Sequence, residues 1–160
     1  MNTFIPAVAS NEYRGSRIAV AAFAVLTGVS IIRSLIHILA PDGGAGSIAT
    51  IPLQRYSADA AATVIHVFAL WGLSQLLFAI VSLLVLFRYR SLIPLMYLLS
   101  IGEYTVRLVL GFVKPVTLAG TAPGGVANYV LVPLLLVLLL LSVKRRKRYA
   151  TGNHGGEAHT

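Results

Sequence analysis

The chain has 160 residues, 57% of them hydrophobic and 11% charged, with no cysteine and a formal net charge of +8. With a mean hydropathy of +0.82, this is the composition of one domain dissolved in lipid, an all-α integral membrane protein. The missing cysteines exclude disulfides, thiolate metal sites, iron–sulfur clusters and thiol redox chemistry. The basic residues lie mostly beside apolar spans, where topology accounts for them and a nucleic-acid partner is not expected.

Residues 1–16 form a short segment whose first 13 positions lack Lys and Arg. Because Leu39-Ala40 also runs directly into Pro41, this end does not read as a cleaved leader. Four stretches then reach the roughly 20 residues that cross a hydrocarbon core: residues 17–40, 58–87, 91–113 and 126–143. The first stops at Pro41-Asp42-Gly43-Gly44, where proline breaks the hydrogen-bond ladder and glycines favour reversal. The second exceeds the minimum length and is expected either to tilt or to begin as a helix standing above the membrane. Arg88-Tyr89-Arg90 leaves so short a turn that the second and third spans are expected to form an adjacent antiparallel pair. Pro94 falls in the first turn of the third span, where its missing amide costs little. Lys114-Pro115 and Pro123-Gly124-Gly125 bracket the last loop, and Pro133 is placed to kink the fourth span. Residues 144–160 form a basic, then Gly- and His-rich tail without an apolar face, expected to be disordered.

Positive residues set the direction. Arg14, Arg17, Arg88, Arg90 and the run Lys144, Arg145, Arg146, Lys147 and Arg148 make nine on one side, against Arg55 and Lys114 on the other. The positive-inside rule therefore gives a four-transmembrane-helix antiparallel bundle with both termini in the cytoplasm. The same Lys144–Arg148 run is expected to contact anionic lipid at about 1 kcal/mol per residue.

Polar residues fall into stripes at helical spacing. Thr27, Ser30, Arg33, Ser34 and His37 share one face of the first span; Ser100, Glu103, Tyr104, Arg107 and Gly111 share one of the third. The second carries Asp59, Thr63 and His66 on one face, and Trp71, Gln75 and Ser82 almost opposite His66. The fourth adds Asn128 and Tyr129. Counting 1.5 Å per residue from the cytoplasmic ends puts Glu103 and Gln75 at about 18–20 Å, Arg33, Arg107 and Asn128 at about 24 Å, and His37 and His66 at about 30–33 Å. The expectation is a polar cluster of Arg33, His37, His66, Glu103, Tyr104, Arg107 and Asn128 in the outer half of the bundle. Ionised groups at such depth cost from about 2.5 to more than 10 kcal/mol and normally have partners. Glu103 and Arg107, at i,i+4, can pair within one helix, and Arg33 lies at a depth from which it can bridge to Glu103. Small residues Ala21, Ala24 and Gly28 on another side of the first span favour close helix approach.

These features leave several readings open. The cluster either latches the helices or binds a small amphipathic or anionic molecule, in a membrane component without catalytic activity; a membrane-protein partner or a second copy is a further way to use it. The alternative is a haem- or quinone-interacting redox subunit in which His37 and His66 hold the cofactor, or an intramembrane enzyme using Glu103 or His66 as acid or base. No serine nucleophile elbow, phosphate-binding glycine loop or His-Glu-x-x-His pattern marks a catalytic residue, and no metal set has a diagnostic spacing. In its size, its four spans with both ends inside and the charges within its helices, the chain resembles DoxX-like small bacterial four-helix membrane proteins. That resemblance shares no diagnostic motif and transfers no functional residue; it implies a location in the bacterial cytoplasmic (inner) membrane.

Overall fold

The computed structural model of the chain describes residues 6–144, and every regular element among them is helical. Helix α1 (Arg17–Leu39) begins where the Ser16 hydroxyl accepts from the Ile18 amide at 3.2 Å, which satisfies one of the free donors of a first turn. It ends before Pro41. There the Asp42 carboxylate accepts from the amides of Gly44 at 2.8 Å, Gly46 at 3.1 Å and Ser47 at 2.6 Å. Burial works to raise the Asp42 carboxyl, but the donated bonds outweigh it and hold the group below its usual value. Gly43 and Gly44 adopt φ of 59° and 73°, a left-handed conformation that a side chain would strain.

Helix α2 (Ala58–Arg88) is capped by the Ser57 hydroxyl, which accepts from the Ala60 amide. Its 31 residues make it about 46 Å long, well beyond a hydrocarbon core. A 3-10 turn, Arg90–Leu92, leads into α3 (Ile93–Val113), with Pro94 in the opening turn. Helix α4 (Pro123–Val143) takes in Pro123-Gly124-Gly125, which composition reads as loop; proline suits a first helical position because the amide it lacks would be unbonded there anyway. All four helices are long and apolar enough to cross a membrane.

Contacts at the two ends give the topology. The Ser16 amide donates to the Leu141 carbonyl at 3.1 Å and the Ser91 amide to the Ser10 carbonyl at 3.1 Å. The start of α1, the α2–α3 turn and the end of α4 therefore share one end, here called the basic end. At the opposite, loop end the Ala119 amide donates to the Thr50 carbonyl at 2.8 Å, and the Thr50 hydroxyl donates to the Gly120 carbonyl at 3.0 Å. The helices thus alternate in direction.

Lateral packing departs from the expected α2–α3 pair. Helix α2 lies along α1, and α3 along α4, while α2 and α3 meet little beyond their turn. The cause is Gly72: a methyl group there would stand 2.6 Å from His37 Cβ and 3.0 Å from the Ser34 carbonyl, so α1 and α2 approach to a distance that only glycine permits. Helix α2 commits its small-residue face, with Gly72, Ala79 and Ser82 buried, to that seam. Of the Ala21, Ala24 and Gly28 stripe, only Ala24 packs against the core. Ala21 is exposed, and a side chain added at Gly28 would meet nothing within 4 Å.

The apolar core joins all four helices at the basic end: Ala19 and Phe23, Val85 and Leu86, Ile93, Met96 and Tyr97, and Leu135, Leu138 and Leu139. Phe23 and Tyr97 meet edge to face at 5.7 Å, and the Tyr97 hydroxyl donates to the Ala19 carbonyl at 2.7 Å. Beyond Tyr97 in α3 and before Leu135 in α4 no described residue is buried. Toward the loop end the α3–α4 pair therefore stands away from α1–α2, and long polar side chains connect the two.

Candidate functional site

The α1–α2 seam presents His37 from the last turn of α1 to the aromatic residues of α2. The buried His37 ring lies 4.8 Å from the Trp71 ring and 5.7 Å from the Phe68 ring, measured between centroids. Its Nδ1 is 2.7 Å from the Gly43 carbonyl. A carbonyl can only accept, so Nδ1 carries the proton and donates. The turn built by Asp42 thereby sets the imidazole orientation.

Helix α3 reaches across with two side chains. The Arg107 guanidinium stacks 4.8 Å from the Trp71 ring centre and 5.3 Å from that of Tyr104, a cation–π arrangement that joins α3 to α2. Arg107 also pairs with Glu103 one turn earlier in its own helix. From α1, Arg33 donates through a terminal nitrogen to the Tyr104 hydroxyl at 3.5 Å. Tyr104 is thus the hub, its hydroxyl facing one guanidinium and its ring the other.

The expected bridge from Arg33 to Glu103 is not made. The Glu103 side chain is 41% exposed and its partner is Arg107. Tyr104, one residue on and so about 100° round the helix, is what meets Arg33. Because the ion pair lies within α3, it cannot latch α1 to α3. Arg33 is left with its Nε buried and without a partner among the described residues, while its one hydrogen bond is longer than the roughly 2.7–3.2 Å usual for N–H to oxygen. Gln75, one turn along α2 from Trp71, is buried, and both polar atoms of its amide also lack partners among those residues.

The structure therefore brings Arg33, His37, Tyr104, Arg107 and Glu103 into one connected group and does not bring in His66 or Asn128. His66 is exposed, because it lies six residues before Gly72, about 120° away from the face that α2 turns to α1. Asn128 is half-buried near the start of α4, and no hydrogen bond ties it to the group among the described residues. His37 is enclosed between Phe68 and Trp71 and His66 faces outward, so the two imidazoles do not oppose each other as a bis-histidine haem requires. Phe68, Trp71 and Gln75 replace His66 as the contribution of α2. Gly72, sitting between Trp71 and Gln75, is the sequence signal that marks that face. Lys144 is exposed at the end of α4, and Arg145, Arg146, Lys147 and Arg148 lie outside the described residues.

Chemically, the group holds two permanently charged guanidiniums and one carboxylate, and that carboxylate is engaged by Arg107. Among the described residues the Arg33 charge has no carboxylate partner; it lies beside the Tyr104 phenol with its Nε–H hidden from solvent and unmatched. No protein-family model matches the chain, and no curated protein or solved structure matches it.

Proposed function

We propose that the four helices span the plasma membrane with the basic end in the cytoplasm, and that the Arg33 group binds the head of an amphipathic anion in the outer half of the bundle. The spanning reading is supported by the four apolar helices and by their outer surface, where Val25, Val29 and Ile32 of α1 and Leu77, Ile80 and Leu84 of α2 are exposed. The orientation is supported by Arg14, Arg17, Arg88, Arg90 and Lys144 at one end against Arg55 and Lys114 at the other. Because the chain has no cysteine, Ala9→Cys and Ser47→Cys each give a single labelling site. An impermeant maleimide applied to intact cells should modify the second and spare the first; the reverse pattern inverts the orientation.

The binding reading rests on one observation: a buried Arg33 Nε–H without an acceptor among the described residues. A guanidinium stays protonated, and leaving a charged donor unmatched in an apolar setting is costly. A carboxylate, phosphate or strongly polarised carbonyl would supply the missing acceptor. The amide of Gln75 offers a second polar contact and the Trp71–Phe68 surface an apolar one. This is a binding function, with no residue placed as a nucleophile or as a general acid.

Trp71 is the single tryptophan, so its emission reports on the group directly. Titration of the purified protein with decanoate should give a saturable change that decanol does not produce. Arg33→Gln, checked for helicity, should weaken it roughly tenfold or more, the loss of one charge-assisted hydrogen bond. Equal responses to acid and alcohol, or an unchanged titration in Arg33→Gln, would reject the assignment.

A further inference from the structure

A second feature lies at the basic end, outside the Arg33 group. The N-terminal segment is laced to the helix ends: the Ser10 amide donates to the Ser91 hydroxyl at 2.9 Å, and the Ser16 amide donates to the Leu141 carbonyl at 3.1 Å. Gly15 makes this approach possible, since a Cβ there would run into the Ser142 carbonyl and the Tyr13 ring. Held in this way, the segment forms one wall of a groove of about 1130 Å³ whose other wall is the start of α1. That exceeds the roughly 300–1,000 Å³ of an ordinary small-molecule pocket.

The groove has two chemically distinct parts. Arg14, Arg17 and Arg90 line one, with Glu12 the one acidic residue among them. Glu12 approaches Arg14 at 3.7 Å with both side chains largely exposed, so three guanidiniums face one loosely held carboxylate. The Nε of Arg90 donates to the Leu86 carbonyl at 2.8 Å, which fixes that side chain and leaves its terminal nitrogens for a ligand. The Tyr13 hydroxyl, on the same lining, is buried and has no partner among the described residues. The other part is the apolar wall of Val20, Ala21 and Ala24. Arg17, Ala21, Ala24 and Gly28 recur at helical spacing on one face of α1, and a side chain at Gly28 would meet nothing within 4 Å among the described residues. From Arg17 to Gly28 this smooth track is about 16 Å long, close to half of the ~30 Å hydrocarbon thickness.

We infer that this groove holds one anionic phospholipid of the leaflet bordering the basic end, with its phosphate among Arg14, Arg17 and Arg90 and an acyl chain along Ala21, Ala24 and Gly28. Charge complementarity selects the headgroup, and the track, as long as one leaflet is deep, selects a lipid over a soluble anion. The inference rests on the spanning reading and is independent of any ligand at Arg33.

The test is native mass spectrometry of the full chain released from nanodiscs of phosphatidylcholine alone or mixed with phosphatidylglycerol. One phosphatidylglycerol per chain should be retained in preference to phosphatidylcholine. Single Arg14→Gln, Arg17→Gln and Arg90→Gln variants should each weaken retention about fivefold, with Arg17→Lys recovering most of it. Ala21→Leu, at an exposed position that leaves the fold intact, should lower retention by blocking the track. Equal retention of the two lipids would overturn the site. So would a preference that survives loss of all three arginines and disappears only when Lys144–Arg148 are neutralised, or an Ala21→Leu effect confined to dissociating a dimer, which would assign the face to a second copy. Failure to enter phosphatidylcholine nanodiscs at all would overturn the spanning reading, and this site with it.

Discussion

Replacing Arg33 with leucine should stabilise the protein while abolishing the anion binding proposed for this group. The Arg33 Nε–H is buried without an acceptor among the described residues, and a buried donor left unmatched costs about 1–3 kcal/mol. Against this stands one hydrogen bond to the Tyr104 hydroxyl at 3.5 Å, worth at most the ~0.5–1.5 kcal/mol of an ordinary bond. Removing both leaves a net gain of about 1 kcal/mol. For a domain of this size that corresponds to a rise of roughly 2–4 °C in Tm, measurable by thermal unfolding in detergent. The cycle with Tyr104→Phe sharpens the reasoning: the phenylalanine should cost about 1 kcal/mol when Arg33 is present and next to nothing in Arg33→Leu. Destabilisation of Arg33→Leu by about 3–5 kcal/mol, the usual result of breaking a buried pair, would show that Arg33 is structurally satisfied and refute the argument.

Gly72→Ala should destabilise the fold by about 1–3 kcal/mol through overpacking, because the new methyl would stand 2.6 Å from His37 Cβ; the matched Gly28→Ala and Gly102→Ala, with open space around them, should not lower Tm. Asp42→Ala should loosen the turn that accepts three amides and free His37 from the Gly43 carbonyl, seen as a shift in Trp71 emission with most helicity retained; unchanged emission would disconnect turn from site. Burial raises the Tyr13 phenol from 10.0 to about 12, so its contribution to stability is fully present below pH 10 and lost as pH rises from there through about 12. Stability curves across that window should fall more steeply for the native chain than for Tyr13→Phe, and parallel curves would contradict the burial.

The parts of this structure that are legible in the sequence are those fixed by local rules. Apolar length marks the four helices, and the i,i+4 spacing marks the Glu103–Arg107 pair. Lateral arrangement is harder. The Arg88-Tyr89-Arg90 turn joins the ends of α2 and α3 but does not hold them side by side, because Gly72 gives α1 the stronger claim on α2. Equal depth likewise says nothing about direction around a helix: Arg33 and Glu103 come within a turn of each other in height, yet Glu103 turns outward and Tyr104 takes its place. Helix α2 carries two polar stripes of similar quality, and periodicity alone does not tell whether His66 or Trp71 and Gln75 face inward. The glycine between Trp71 and Gln75 decides it, since the smallest side chain lies where a neighbouring backbone comes closest. The core at the basic end has no polar signal, and its position appears only when Phe23, Tyr97 and Leu135 are seen together.

The most direct test is a density map of the protein extracted with its native lipid, resolved to side chains around α1 and α3. A non-protein acceptor is expected within hydrogen-bond distance of Arg33 Nε, beside Tyr104 and over the Trp71–Phe68 surface. A guanidinium closed onto Glu103, with no non-protein density beside it, would contradict it.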